Sequence, residues 1–123
     1  MKYRAICENH LYSKAYKKGK KAVAATVAVY VLPDYKKHVL MRANPEKNYI
    51  NRIGLTVGKK IGGAVERSRA KRIIRHAYRH LDETFGLKTG HLIVIAAREA
   101  IRGKKTQDVE RDLRYAFRKL NLL

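Results

Sequence analysis

The densest run of cationic side chains lies between Lys59 and Arg79, where eight lysines and arginines stand against one acid, Glu66. Such side chains bind anions: the ammonium group of lysine attracts phosphate as a point charge, and the planar arginine fork also matches base edges. Like charges four residues apart destabilise a helix by about 0.2–0.5 kcal/mol per pair, so a face that served only solubility would mix the two signs. We therefore predict that this run binds a polyphosphate.

The same run follows a helical period from Ala64 onwards. At 100° per residue, its apolar residues fall on one side of the helix: Ala70, Ile73, Ile74, Ala77 and Leu81. Its cations fall on the opposite side, around Ser68: Lys71, Arg72, Arg75 and Arg79. A strand over 52–58 precedes the helix, and the glycine-containing IGGAV segment is interpreted as the turn between them. We expect one side of the helix to pack in the core and the other to face a ligand.

Three tyrosines lie near other lysines and offer ring stacking. Tyr12 and Tyr16 are one helical turn apart in the segment from Asn9, a good N-cap, to Gly19, a helix stop. Tyr30 lies in Ala22–Leu32, where alternation predicts one strand. The two faces of that strand are a core face with Val23, Val27, Val29 and Val31, and a second face with Thr26, Ala28 and Tyr30. Each tyrosine ring has two interpretations here, a place in the core or a surface on which an unpaired base stacks.

The remaining segments complete a mixed fold. Residues 35–51 are interpreted as a long basic connection with a short strand at Val39–Arg42, and the apolar run Leu92–Ala97 predicts a buried strand. Thr106 is the predicted N-cap of a last helix. Helices and strands in this order predict an α+β or α/β sandwich with helices packed on one sheet. The length of 123 residues suits a single RNA-binding domain over 1–123.

The whole chain carries 29 lysines and arginines against 10 acids, a formal net charge of +19. A domain with this charge repels itself, so nucleic acid is the first class of partner that we expect and an anionic membrane the second. No segment approaches the ~20 apolar residues of a membrane span, and the N-terminus lacks the apolar stretch of a signal peptide. The single cysteine excludes an internal disulfide, which favours an intracellular protein.

Patterns for metal binding and catalysis are weak. Cys7 and His10 form half of a zinc site without a second pair. His76 and His80 have ligand spacing, but the neighbouring arginines repel a cation and the glutamate of a zincin is missing. We therefore predict no catalytic residue and no bound metal in the protein itself. Helix-turn-helix and zinc-finger spacings are also missing, so single-stranded RNA is favoured over duplex DNA.

Residues 52–75, RIGLTVGKKIGGAVERSRAKRIIR, closely resemble the signature of the bacterial ribonuclease P protein subunit. In that signature a strand leads into Lys-Lys-x-Gly-x-Ala-Val, an Arg-Asn-Arg centre, Lys-Arg and a further Arg. Here Ser68 stands at the middle of the centre, which keeps a hydroxyl but loses the paired donor and acceptor of an amide. The segments NHLYSKAYKKG, VAVYVL and LIVIAA and the last helix are also similar to the family, so the resemblance covers nearly the whole chain.

The resemblance implies an α-β-β-β-α-β-α sandwich around a central four-stranded sheet, with a left-handed β-α-β crossover against the usual right-handed preference. It also implies a cytoplasmic ribonucleoprotein in which a catalytic RNA subunit uses bound Mg²⁺ to remove the 5′ leader of precursor tRNA. The protein would be the accessory subunit of this endoribonuclease and would not itself cut RNA.

Individual roles follow from the same resemblance. The expected leader-stacking residues lie in a groove between the first helix and the sheet: Tyr12, Tyr16 and Tyr30. The expected RNA-binding surface comprises Arg52, Lys59, Lys60, Arg67, Ser68, Arg69, Lys71, Arg72 and Arg75.

Two other functions fit the same charges. A structural RNA-binding protein, such as a ribosomal component, would not increase leader cleavage when it is reconstituted with a catalytic RNA. A self-sufficient metal nuclease would cut RNA without a partner, but its acids would need to cluster, and here they are scattered.

Overall fold

The computed structural model describes residues 3–6, 9–33 and 51–123. Its elements follow in the order β1 Tyr3–Ala5, α1 Asn9–Lys18, β2 Lys20–Val23, β3 Val27–Pro33, β4 Asn51–Thr56, α2 Ala64–Phe85, β5 His91–Ala97 and α3 Thr106–Lys119. Short 3-10 turns, Lys59–Ile61 and Glu99–Ile101, follow β4 and β5. The α+β class and the order α-β-β-β-α-β-α from α1 onwards are confirmed. The strand predicted at Val39–Arg42 lies outside the described residues.

The strands form one mixed sheet in the order β1-β4-β5-β3-β2. β4 lies parallel to both β1 and β5, while β3 lies antiparallel to β5 and β2. The expected four strands are therefore present, and the three-residue β1 extends the sheet at its edge.

The segment Ala22–Leu32 is not the single strand that its alternation predicts. The chain turns back at 24–26, so that Ala22 pairs with Val29 across an antiparallel hairpin. The prediction is wrong because residues 24–26 contain no glycine or proline to signal a turn. One consequence is that Val23, expected in the core, is 40% exposed.

Helices cover both faces of the sheet. α1 packs on one face through Ala15, against Leu92 and Val94 of β5. α2 and α3 pack together on the other face, over Val29 and Ile53 among others. The side chains of a strand alternate between these two layers, so each strand contributes to both.

The crossover from β4 through α2 to the parallel strand β5 is left-handed. The Ile53 side chain points into the α2–α3 layer, and its carbonyl accepts a hydrogen bond from the Ile6 N–H at 3.0 Å, on the side of β1. Seen from the helices with β4 running upwards, an L-residue whose side chain points at the viewer directs its N–H and C=O to the right. β1 therefore lies to the right and β5 to the left, so the chain crosses leftwards in front of the sheet. The left hand expected from the resemblance is confirmed.

The apolar side of α2 is buried as the helical period predicts. The five predicted core residues are joined by Tyr78, which is 2% exposed and packs edge-on against Phe117 at 6.0 Å between ring centroids. Asn51 satisfies the Tyr78 hydroxyl, because its amide nitrogen donates to that oxygen at 3.3 Å. The polar tip of Tyr78 therefore has a partner in the core, as a buried tyrosine needs.

Long-range contacts hold the turn of the β2–β3 hairpin. The Thr26 N–H and hydroxyl both donate to one carboxylate oxygen of Asp112 in α3, at 3.0 and 2.6 Å. The Arg98 guanidinium donates to the Ala24 carbonyl at 2.7 Å. Thr26 therefore turns away from the groove-facing side of β3, where its position in the sequence placed it.

The start of α3 also differs from expectation. The N-cap is Lys105 rather than Thr106, and Asp108 accepts a hydrogen bond from the Lys105 N–H at 3.0 Å. Asp108 is the third residue of the helix, so its carboxylate binds the N–H of the N-cap residue, as the acidic member of a capping box does.

We expect Asp112→Ala to lower the free energy of unfolding by about 1–3 kcal/mol, because the buried Thr26 loses the acceptor of both its donors. Urea unfolding followed by circular dichroism measures the change. Glu83→Ala, which removes one exposed acid, controls for the charge of the chain. Equal stabilities of the two variants would contradict the assigned role of Asp112.

Candidate nucleic-acid interface

The first predicted stacking residue, Tyr12, lies against the strand β4. A Cβ atom at Gly54 would come within 2.7 Å of three atoms of the Tyr12 phenol, so the ring rests on the bare backbone of this glycine. The ring is half-buried and packs on the cluster of α1 and the sheet. Only glycine at position 54 lets the ring approach so closely.

Tyr16 spans from β4 to β3. Its hydroxyl shares a hydrogen bond of 2.6 Å with the Thr56 hydroxyl. Its ring meets the Tyr30 ring edge-on, with 4.8 Å between centroids and 86° between planes. Tyr16 is 40% exposed, and the Lys21 ammonium lies 6.0 Å from the centre of the Tyr30 ring. The structure thus brings all three predicted tyrosines to one side of the sheet, beside α1.

We call this surface, made of Tyr12, Tyr16, Tyr30 and the strand residues Gly54 and Thr56, the tyrosine groove. Its floor crosses β5, because Gly54 and Tyr30 are both in register with Val94. In edge-on packing only one face of one ring is covered by the other ring, and Tyr16 is partly exposed to solvent. The groove therefore offers flat apolar surface with a cation at its margin, which suits unpaired bases.

A cavity of about 250 Å³ joins the tyrosine groove to α2. Tyr12 lines it from α1 and Leu55 from β4, while Lys71 and Arg75 line it from α2. The cavity also borders Ala5, where β1 ends, so it lies at the edge of the sheet. One predicted stacking ring, that of Tyr12, therefore lines the same cavity as two predicted helix cations, Lys71 and Arg75.

The predicted RNA-binding surface is largely exposed. The exposed members are Lys59, Lys60, Ser68, Lys71, Arg72 and Arg75. Arg67 is half-buried, and its Nε is buried with no hydrogen-bond partner among the described residues. A buried donor of this kind gains from an acceptor such as a phosphate oxygen.

Two predicted members of this surface are placed differently. Arg52 is only 6% exposed and belongs to the same side of β4 as Gly54, so the structure does not bring its side chain to the exposed surface. Arg69 is half-buried, and its guanidinium donates to the Lys104 carbonyl at 2.6 Å. That bond ties α2 to the loop before α3.

Lys59 and Lys60 line an open cavity of about 700 Å³ beyond the carboxyl ends of β4 and β5. Arg98, which follows β5 directly, lines the same cavity, as does Thr56 of the tyrosine groove. Sequence patterns alone did not single out Arg98 or Thr56. Thr56 ends β4 and Arg98 directly follows β5. Since the carboxyl ends of parallel strands meet at one edge of a sheet, these positions are the signal from which both residues could have been identified.

The described residues contain no group of three His, Cys, Asp or Glu side chains that could hold a metal ion. His80, one of the two histidines with ligand spacing, instead hydrogen-bonds Glu110 of α3 through its Nδ1. Cys7 lies outside the described residues. Among the helices that the structure describes, none has the length and apolar character needed to cross a membrane.

Comparison with known proteins gives one family. The profile of the family described as Ribonuclease P matches residues 1–121. A ribonuclease P protein component from Clostridium acetobutylicum is 38% identical over 123 residues, which is all of this chain and 93% of that protein. One from Dehalococcoides mccartyi is 42% identical over 84 residues, 68% of this chain and 67% of that protein.

Solved structures share the fold. A Staphylococcus aureus ribonuclease P protein, a mutant with defective mRNA degradation activity, superposes with a TM-score of 0.76 at 23% identity, covering 97% of this chain and 89% of that one. The ribonuclease P protein from Thermotoga maritima superposes with a TM-score of 0.66 at 19% identity, covering 85% and 86%.

We expect Gly54→Ala to weaken binding of a short single-stranded RNA, because the new methyl group displaces the Tyr12 ring. The loss should reach about 1–3 kcal/mol, the value of one base stack. Fluorescence anisotropy with a labelled octanucleotide measures it. Gly58→Ala is the matched control, since nothing lies within 4 Å of a Cβ atom there.

The same clash predicts the outcome of a double substitution. Once Tyr12→Ala has removed the ring, Gly54→Ala should cause no further loss of affinity. Additive losses would contradict the contact between Tyr12 and Gly54 as the cause.

Proposed function

This chain belongs to the ribonuclease P protein family, the accessory subunits of the ribonucleoprotein endonuclease that processes tRNA 5′ ends, and from this premise we propose how it works. We propose that the tyrosine groove binds the single-stranded 5′ leader of precursor tRNA. The α2 face, by which we mean Arg67, Ser68, Lys71, Arg72 and Arg75, binds the catalytic RNA subunit at the same time. The place of this activity is the bacterial cytoplasm.

The observation that carries this proposal is the shared cavity of Tyr12, Lys71 and Arg75. The cavity places a stacking ring and phosphate-binding side chains so close together that a short segment of bound RNA can reach both. A strand that leaves the tyrosine groove at this edge meets cations of α2 immediately. Leader and catalytic RNA can therefore be held side by side on adjoining surfaces of one protein.

The tyrosine groove suits a leader because stacking tolerates different sequences. Every base has an aromatic face, so rings such as Tyr16 and Tyr30 accept any of the four bases. The three tyrosines lie on two different elements, α1 and β3, which fixes the spacing of the rings. Their hydroxyls can also donate hydrogen bonds to sugar or base oxygens. The Tyr16 hydroxyl already shares a hydrogen bond with the Thr56 hydroxyl, in which either oxygen can be the donor.

The α2 face suits a folded RNA because it presents charge over several turns. Lys71 and Arg75 are four residues apart, and Arg72 extends the exposed surface sideways. The Nε of Arg67, which has no hydrogen-bond partner in the described part of the chain, adds a directional donor at the start of the helix. Ser68 contributes a hydroxyl that can bind a phosphate oxygen.

Hydrolysis itself belongs to the RNA subunit in this proposal. Magnesium ions held by that RNA would supply the activated water and the charge stabilisation that hydrolysis needs. The protein positions the leader and offsets the repulsion between two polyanions. It should therefore lower the magnesium concentration that a reconstituted enzyme needs for half-maximal leader cleavage, and an unchanged requirement would count against this division of roles.

We expect Tyr16→Ala to weaken binding of precursor tRNA by about 1–3 kcal/mol, roughly 5- to 150-fold, with little change for mature tRNA. Only the precursor carries the leader that stacks in the tyrosine groove. Titration of the holoenzyme with both RNAs measures the difference. Tyr16→Phe, which keeps the ring and loses the hydroxyl bond to Thr56, is the matched control. Equal losses for both RNAs would exclude the tyrosine groove as the leader site.

We expect Lys71→Ala and Arg75→Ala each to reduce the salt dependence of binding to the RNA subunit. The log–log slope should fall by about 0.7–0.9 for every phosphate that the variant no longer binds. Affinities measured between low and high potassium chloride give the slope. Lys20→Ala removes an exposed cation of β2 and serves as the control. Slopes that stay equal in all three variants would mean that the α2 face is only solvated.

A further inference from the structure

A second group of cations and aromatic rings lies on α3. The tyrosine groove uses the face of the sheet that α1 covers, whereas α3 packs on the opposite face. Its buried side carries Val109, Leu113, Ala116 and Phe117. The exposed side follows a helical spacing of three and four residues and comprises Arg111, Arg114, Tyr115, Arg118 and Lys119, which we call the α3 stripe.

Two aromatic rings of this region are exposed. Tyr115 is 53% exposed, and Phe85, at the end of α2, is 47% exposed. The Arg114 guanidinium lies 4.7 Å from the centre of the Phe85 ring, and the Lys119 ammonium lies 6.0 Å from that of Tyr115. Each of these rings therefore lies beside a cation, as Tyr30 lies beside Lys21 in the tyrosine groove.

Of the cations of the stripe, Arg111 alone has a carboxylate partner among the residues that the structure describes, because the other two acids of α3 are engaged elsewhere. Asp112 holds Thr26 of the hairpin, and Glu110 bonds to His80 of α2. The Asp108 carboxylate accepts a hydrogen bond from the Lys105 N–H at the start of the helix, and it lies 3.9 Å from the Arg111 guanidinium.

The cations at the end of the helix have no such partner. Within the described residues, Arg114, Arg118 and Lys119 have no carboxylate within 4.0 Å. Arg114 and Arg118 are four apart and repel each other by about 0.2–0.5 kcal/mol in the free protein. A bound polyanion replaces that repulsion with attraction at both side chains, so charge complementarity favours RNA as the occupant.

We propose that the α3 stripe is a second RNA-binding surface, on which Arg114 and Arg118 bind phosphates and Tyr115 stacks with an unpaired base. The proposal uses none of the residues of the tyrosine groove or of the α2 face, so it goes beyond the proposed function and can stand without it. The sheet and one helix layer separate the two surfaces, about 10 Å for each layer. The protein can then hold RNA segments on opposite sides at once.

The experiment uses the absence of tryptophan from the sequence. Tyr115→Trp and Tyr16→Trp each place a single indole in the full-length chain, on the α3 stripe and in the tyrosine groove. A single-stranded adenosine octanucleotide is the probe. We expect it to quench both indoles to saturation, because a stacked base quenches indole fluorescence. Unquenched fluorescence of Tyr115→Trp would overturn the proposal, while unquenched fluorescence of Tyr16→Trp alone would overturn the proposed leader site instead.

Charge substitutions test the binding of phosphates. In the Tyr115→Trp chain, Arg114→Gln with Arg118→Gln should lower the log–log salt slope of quenching by about 1.4–1.8, at 0.7–0.9 for each of two phosphates. Arg114→Lys with Arg118→Lys keeps the charge and should keep most of the slope. Tyr12→Ala should leave this titration unchanged, since it acts on the other surface. An unchanged slope in the glutamine variant would overturn the assignment.

Two further probes separate RNA from other anionic partners. Polyglutamate should compete weakly and leave the indole spectrum unchanged, because it offers charge without bases. Vesicles of phosphatidylglycerol and phosphatidylcholine should not shift the emission to the blue. Equal competition by polyglutamate would overturn the stacking role of Tyr115, and a blue shift with vesicles stronger than the response to RNA would make the α3 stripe a lipid-binding surface.

Discussion

The packing of α2 against the sheet is the interaction on which the rest of the structure depends. Burying a side chain such as Ile73, Ile74 or Leu81 contributes about 1.5–3 kcal/mol. Each like-charged pair on the outer face costs only about 0.2–0.5 kcal/mol, and salt or a bound polyanion reduces that cost. The free energy of burial therefore exceeds the repulsion between the cations several-fold, and it holds them in a row on the outer face of α2 before any RNA binds.

Periodicity in the sequence was sufficient to predict the buried and exposed faces of α2, because both faces belong to one continuous helix. It was not sufficient for Ala22–Leu32, where the alternation runs through a hairpin turn without a break. That turn is set by Asp112 and Arg98, which lie at least 70 residues away along the chain. Local patterns carry no trace of such contacts, so the exposure of Val23 and the inward turn of Thr26 could not be foreseen.

Local sequence patterns were also insufficient to predict the arrangement of the candidate site. The spacing of Tyr12 and Tyr16 indicated two rings on one helix face, but only the register of the sheet brings Tyr30 beside Tyr16 and places Gly54 under Tyr12. Charge alone could not separate Lys71, which reaches the shared cavity, from Arg52, which is buried. Tertiary packing decides whether a cationic side chain is free to bind a ligand or is engaged within the fold. Arg69 is an example of the second case, because its guanidinium donates to the carbonyl of Lys104.

The two kinds of surface in the proposed function should respond differently to salt, and this difference would bear on how a precursor is distinguished from its product. Attraction of phosphates to the α2 face falls steeply with ionic strength and acts on any RNA. In the proposed leader site, stacking on Tyr16 and Tyr30 would be driven by burial of ring faces, so it would depend much less on salt and would need an unpaired RNA strand. Raising the salt should therefore weaken total binding while it preserves the preference for RNA with a free leader. In the proposed function, the net charge of +19 would supply the strength of the complex, and the three uncharged rings would supply its selectivity.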